Sequence, residues 1–244
     1  MVTGKKVPDW LLAKPIAHRG LHAQGGAPEN SLAAFHAAIR AGLPIEIDVH
    51  LLADQQSVVF HDNDLMRLTG VEGKIEDQDA QSIQSLRLLQ TDQAVPLFAE
   101  VLKEVDGASP LLIEIKSLPS RVGALEQTVL RELQDYRGAF AIQSFHPMSV
   151  HYFKIHAPAI CRGQLSGGSY GVPFANLNQP DFVAYHVDAL TPRRTARLRG
   201  LGVPLLAWTV SSMTQYAQAK RFADNFIFDT TPDFSGHRND DKPE

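Results

Sequence analysis

The stretch IEIDVHLLADQQSVVFHD, residues 45–62, decides how the rest of the chain is read. It opens on an apolar run that carries two carboxylates, Glu46 and Asp48, at i and i+2. In an extended strand that spacing puts both on one face. A second run, SVVFHD, follows after only ADQQ. Four residues are too few for a parallel crossover, so the two runs form an antiparallel hairpin. Centring the turn on Asp54 and Gln55 sets Asp48 opposite His61.

Outward from this stretch, short apolar runs alternate with helically spaced segments. The runs are PIAH, IEIDV, LLIEIK, AFAIQSF, AICRGQL, FVAYHV, PLLAWTV and NFIFD. Between them lie NSLAAFHAAIRAG, LFAEVLKEV, VGALEQTVLRELQDY, MSVHYFKIHA, TPRRTARLRGLG and SMTQYAQAKRFA. Asn30 or Ser31 can cap the first helix, and Gly42 stands where its C-terminus needs glycine. Strands alternating with helices predict a parallel sheet, and eight runs fit a closed (β/α)8 TIM barrel. SGGSYGVPFANLNQP reads as a loop where a helix is expected, so the predicted barrel is irregular there. The SVVFHD hairpin is an extension after the second strand.

Length and composition agree with this. The chain has 244 residues, 44% hydrophobic and 20% charged, enough for one large barrel as a single domain. The core is expected over about residues 15–233, with the polar tail 236–244 frayed. A net charge of −4 gives no reason to expect nucleic acid or an anionic membrane as a partner. Cys161 is the one cysteine, so an intrachain disulfide is ruled out. No run has the length of a membrane span, and MVTGKKVPDWLLAKP lacks the apolar core of a signal peptide. A cytoplasmic protein is the expectation; oligomeric state is not readable.

Buried parallel strands should be almost continuously apolar, and two of these are not. Beside Glu46 and Asp48, the run LLIEIK carries Glu114 and Lys116 at i, i+2. Three carboxylates gathered in a barrel mouth demand a cation. With no cysteine nearby the donors are hard oxygens, suited to one Mg²⁺ or Ca²⁺. Simple ion pairs, Glu114 with Lys116 and Asp48 with Arg19, are the alternative. Arg19 and Lys116 also suit a phosphate. His18 and His61 end their runs beside charged neighbours and have the pKa range that acid–base chemistry needs. The other histidines, including His22 and His50, read as surface or core residues.

The ordered set HRG, PENSLAAF, IEIDVHLLADQQSVVFHD, LLIEIK, AIQSF, AWTV and FDTTPD closely resembles the glycerophosphodiester phosphodiesterase family, from about Pro15 to Asp233. The resemblance implies a TIM-barrel enzyme that splits small-molecule glycerophosphodiesters into sn-glycerol 3-phosphate and an alcohol. It also implies His18 and His61 as the acid–base pair and Glu46, Asp48 and Glu114 as metal ligands. Arg19 and Lys116 would hold phosphate, with Glu29, Asn30 and Trp208 in support. Two departures stand out: Leu52 replaces the family's threonine, and LHAQGGA after HRG is atypical. Rival readings are a lysophospholipase D-like or cyclising phosphodiesterase, and a non-catalytic phosphate-ester binding protein. A membrane-active enzyme should show an exposed apolar lip; LLQTDQAVPLF is the nearest candidate, and it reads better as a connector.

Overall fold

A computed structural model describes residues 7–22, 26–168 and 171–229. The predicted tail, 236–244, and the end of the FDTTPD motif lie outside the described residues. The chain begins with α1 (Trp10–Ala13), β1 (Ile16–Ala17), α2 (Leu32–Arg40), β2 (Ile45–Leu51) and β3 (Ser57–Val59). An excursion follows with α3 (Met66–Thr69) and α4 (Ala80–Ser85), and then α5 (Phe98–Val105). The rest alternates: β4 (Leu111–Ile115), α6 (Ala124–Glu132), β5 (Phe140–Ser144), α7 (Pro147–His156) and β6 (Arg162–Ser166). It ends with α8 (Ala175–Asn178), β7 (Phe182–His186), α9 (Pro192–Arg199), β8 (Leu205–Val210), α10 (Met213–Phe222) and β9 (Asn225–Phe228).

All eight apolar runs become parallel strands, and β1 closes the barrel by pairing with both β2 and β9. The inward and outward faces have separate cores. Ile45, Ile47, Val49, Ile113 and Ile115 pack outward against the helices. Leu112, Ala141, Leu165, Phe182, Leu206 and Ile227 fill the interior, where Leu11 of α1 joins them. The α1 segment sits at the strands' N-terminal end, because Asn225 Nδ2 donates to the carbonyls of Leu11 and Lys14 at 2.7 Å each. That end is sealed, which leaves the C-terminal end for chemistry.

The hairpin forms, with a register one residue from the expected one. Val49 faces Val59, so Asp48 lies opposite Phe60 and not His61. The turn is centred on Asp54: Leu52 N–H bonds the Gln56 carbonyl at 2.9 Å, and Gln55 takes a positive φ of 66°. A three-residue loop ending in a left-handed residue moves the pairing by one. Because β1 spans only two residues, β3 occupies the edge of β2 that β1 leaves open. The excursion beyond β3 has its own core of Leu52, Val58, Phe60, Leu65, Leu68, Ile75 and Ile83. Leu52 is therefore a packing residue. Among the described residues, the connection between β6 and β7 contains only the four-residue α8, the irregularity expected there.

Candidate active site

Strand β2 and strand β4 are in parallel register with Asp48 directly beside Glu114. Since Glu46 is two residues before Asp48, all three carboxylates point into the barrel mouth. One oxygen from each lies within 4.8 Å of the others, and all three residues are buried. The expected ion pairs are present as well. Lys116 Nζ stands 3.0 Å from Asp48 Oδ1 and 2.8 Å from Glu114 Oε1. Arg19 Nε is 3.3 Å from Asp48 Oδ2. Yet two cations cannot neutralise three carboxylates, and among the described residues Glu46 receives only the Arg19 backbone N–H at 3.2 Å and the distant His18 Nε2 at 4.0 Å.

The protonation preferences record this deficit. Burial, followed by repulsion from Asp48 and Glu114, pushes Glu46 well above the usual carboxylate range. Burial likewise raises Glu114 to about 7 despite Lys116. Burial would raise Asp48 too, but Lys116, His61 and Arg19 together hold it far below its ordinary value. Lys116 is held charged because Asp48 and Glu114 outweigh its desolvation. A pocket of buried hard oxygens short of positive charge is a fitting seat for one divalent cation.

The first strand ends in HRG. Arg19 takes a left-handed φ of 54°, and Gly20 follows at 82°. A Cβ on Gly20 would come 2.8 Å from Ala34 Cβ and 2.9 Å from its carbonyl carbon, so only glycine fits this turn. Ser31 caps α2, its Oγ accepting from the Ala34 N–H at 3.2 Å. Asn30, freed from capping, donates from Nδ2 to Asp48 Oδ2 at 2.9 Å. Asn30 is thus tied to the carboxylate cluster, and Glu29 to Arg19.

Each candidate histidine has a carboxylate on Nδ1. His18 Nδ1 donates to Asp229, which directly follows β9. His61 Nδ1 donates to Asp62 Oδ1 at 2.6 Å. An acceptor on Nδ1 fixes the proton there, leaving each Nε2 outside that contact. Burial lowers the pKa of His61, with Lys116 and Arg19 adding to it and Asp48 opposing. His50 is buried beneath, its Nε2 donating to the His61 carbonyl at 3.1 Å, and burial lowers its pKa to about 4.

Sequence reasoning passed over Asp229 and Arg67. Asp229 had a signal, since it ends NFIFD at the same rim position as the other strand-end groups. Arg67 had none. It lies in α3 and binds both Glu29 oxygens, at 2.7 and 2.8 Å, together with Asp62 Oδ2 at 2.5 Å. Glu29 in turn holds Arg19 Nη1 at 2.6 Å. The result is one chain of contacts, Arg19–Glu29–Arg67–Asp62–His61. Trp208 stands on the opposite rim, edge-on to Phe145 at 5.2 Å and to His186 at 5.0 Å, and packs onto the inner core.

Comparison with known proteins adds to this geometry. Residues 18–231 match the glycerophosphoryl diester phosphodiesterase family. The YhdW protein of Bacillus subtilis is 30% identical over 233 residues, covering 90% of this chain and 95% of its own. A glycerophosphodiester phosphodiesterase of Bacillus altitudinis is 27% identical over 91% of this chain and 96% of its own. In fold, the chain superposes with a TM-score of 0.80 on an Oleispira antarctica phosphodiesterase solved with its product sn-glycerol-3-phosphate. That match has 22% identity and covers 88% of this chain and 92% of that one. Sequence order, barrel and rim chemistry thus converge, and the chain belongs to the glycerophosphoryl diester phosphodiesterase family.

Proposed function

We propose that this chain hydrolyses small-molecule glycerophosphodiesters to sn-glycerol 3-phosphate and a free alcohol, with His18 and His61 as an acid–base pair. The observation that supports this reading is the pair of Nδ1–carboxylate contacts beside the buried carboxylates, with His18 Nε2 4.0 Å from Glu46 Oε2. Glu46, Asp48 and Glu114 would hold one divalent cation, Mg²⁺ or Ca²⁺. When bound, such an ion supplies Lewis-acid stabilisation of phosphoryl oxygens.

The residues then divide the work. Arg19 and Lys116 counter the charge on the phosphate, and Glu29 and Asn30 keep Arg19 and Asp48 in place. His61, which burial holds below its ordinary pKa, is suited to start as the base. It takes the proton of the glycerol 2-hydroxyl, whose oxygen attacks phosphorus in a pre-aligned step. His18 gives its proton to the departing alcohol. With roles reversed, His18 deprotonates a water that opens the cyclic phosphate, and His61 returns its proton to the 2-oxygen. Trp208 and Phe145 offer an apolar wall to the carbon skeleton.

The deciding experiment is turnover of glycerophosphocholine with added Mg²⁺ or Ca²⁺ and with excess chelator. Release of sn-glycerol 3-phosphate that chelation abolishes supports the reading. Absence of turnover across a panel of glycerophosphodiesters with either ion overturns it.

A further inference from the structure

Among the described residues, five of the ten large exposed apolar side chains follow strands on one side of the barrel's catalytic end, while Met66, Val71 and Leu89 stand on the excursion after β3. Phe145 follows β5, and Met148 is in the first turn of α7. Phe174 and Leu177 lie on the β6–β7 connection, 60% and 47% exposed, and Met213 opens α10 just after β8. Every one of them stands beyond the C-terminal end of a barrel strand. Singly such residues are ordinary, but several raised around one mouth mark a contact surface.

The same half of the molecule has its own charge. Residues 139–223 contain eight lysines and arginines against Asp181 and Asp188 alone, in a chain whose net charge is −4. Both acids are engaged, Asp181 with Arg162 and Asp188 with Gln215. A groove of about 540 Å³ runs between the β6–β7 connection and α9, lined by Phe174, Thr191, Arg193, Arg194 and Arg197. Arg194 is tied to the Ala189 carbonyl at 2.9 Å. Among the described residues no carboxylate pairs with Arg193 or Arg197.

We infer that this half of the catalytic end docks on an anionic phospholipid bilayer, with Phe174, Leu177, Met148 and Met213 entering the interface and Arg193 and Arg197 meeting the headgroups. The partner follows from the form of the surface. Its apolar groups come from three separate segments, the start of α7 after β5, the β6–β7 connection and the start of α10, which suits a fluid interface with no fixed shape of its own. Its free charges are guanidinium groups, which pair with phosphates. Of the eight basic residues, Arg193, Arg194 and Arg197 line the groove beside Phe174, and these bring positive charge to the apolar groups. Docked this way, the mouth holding His18, His61 and the carboxylates faces the plane in which lipid phosphodiesters lie. The lip is drawn from several segments distant in sequence, and LLQTDQAVPLF is not part of it.

The inference goes beyond the catalytic reading and its test needs no turnover. The full chain would be sedimented with vesicles of equal phosphatidylglycerol and phosphatidylcholine, and with phosphatidylcholine alone. Binding to the anionic vesicles only, released by added salt, is expected. Phe174→Ser with Leu177→Ser, and separately Arg193→Glu with Arg197→Glu, should each weaken it by about tenfold. Lys103→Glu, on the exposed face of α5, should leave it unchanged. Both double variants should keep their turnover of soluble glycerophosphocholine and their thermal midpoint, which shows them folded whether or not the wild type turns over. No sedimentation with anionic vesicles at low salt overturns the inference. So does binding that survives both double variants, or equal binding to DNA that the Phe174/Leu177 change leaves intact, which would mark a general polyanion surface.

Discussion

The Nδ1 of His18 donates to the carboxylate of Asp229, 211 residues further along the chain. Burial alone would raise the Asp229 pKa, but the hydrogen bond from His18 holds it far below the ordinary range. The acid thus stays ionised and keeps the proton on Nδ1. Asp229→Asn should preserve the contact yet allow the amide to donate, which favours the wrong tautomer. Turnover of glycerophosphocholine should drop by about 10²–10⁴ with metal affinity little changed. Steady-state rates and calorimetric ion binding check this; an unaltered kcat removes Asp229 from the mechanism.

Arg67 touches no group placed at the reaction, yet it binds the two carboxylates that orient Arg19 and His61. Burial would raise the Asp62 pKa, but the hydrogen bonds from Arg67 and then His61 bring it to about 2; the His61 contact persists without Arg67, so the loss should be one of orientation. Arg67→Ala should lower kcat by roughly tenfold or more, as small misplacements at reacting groups do. Arg67→Lys should recover little, because an ammonium cannot span two carboxylates at once. Added guanidinium should restore part of the rate to Arg67→Ala and none to Arg67→Lys.

The carboxylate cluster makes ion binding depend on pH. Glu114, at about 7 when buried without an ion, is protonated in the folded state over a range where the unfolded chain, at 4.5, has lost its proton. The folded form therefore binds more protons between these values, and the ion-free protein loses stability as pH rises from about 4.5 through 7. A divalent cation needs the ionised carboxylates, so its stabilising effect should grow from pH 6 to pH 8. Thermal melts with and without Mg²⁺ or Ca²⁺ would show it. Glu46→Gln, Asp48→Asn and Glu114→Gln should each shrink that shift, and Glu114→Gln should also flatten its pH dependence.

The cyclic route needs the glycerol 2-hydroxyl as nucleophile. A 2-deoxy glycerophosphodiester should bind as a competitive inhibitor and turn over negligibly. Release of alcohol from it at a rate near that of the parent compound would leave direct attack by water as the operating path.

What the sequence determined by itself was whatever depends on short-range spacing. Alternating runs fixed the order of strands and helices, because each parallel strand must bury both faces. The i, i+2 spacing in IEID and IEIK put Glu46 with Asp48, and Glu114 with Lys116, on inward faces whatever the details of packing. Ordered motifs pointed to the family. Only the tertiary structure decided the rest. A single left-handed residue, Gln55, shifted the hairpin register, since turn geometry depends on backbone angles that composition does not set. Ser31 took the cap and released Asn30 to Asp48, a choice between two competent neighbours. Asp229 reached His18, and Arg67 bridged Glu29 to Asp62, only because barrel closure brings the last strand beside the first and the excursion over the rim. These contacts join groups distant in sequence, and no local pattern of residues encodes where a closed sheet will place them.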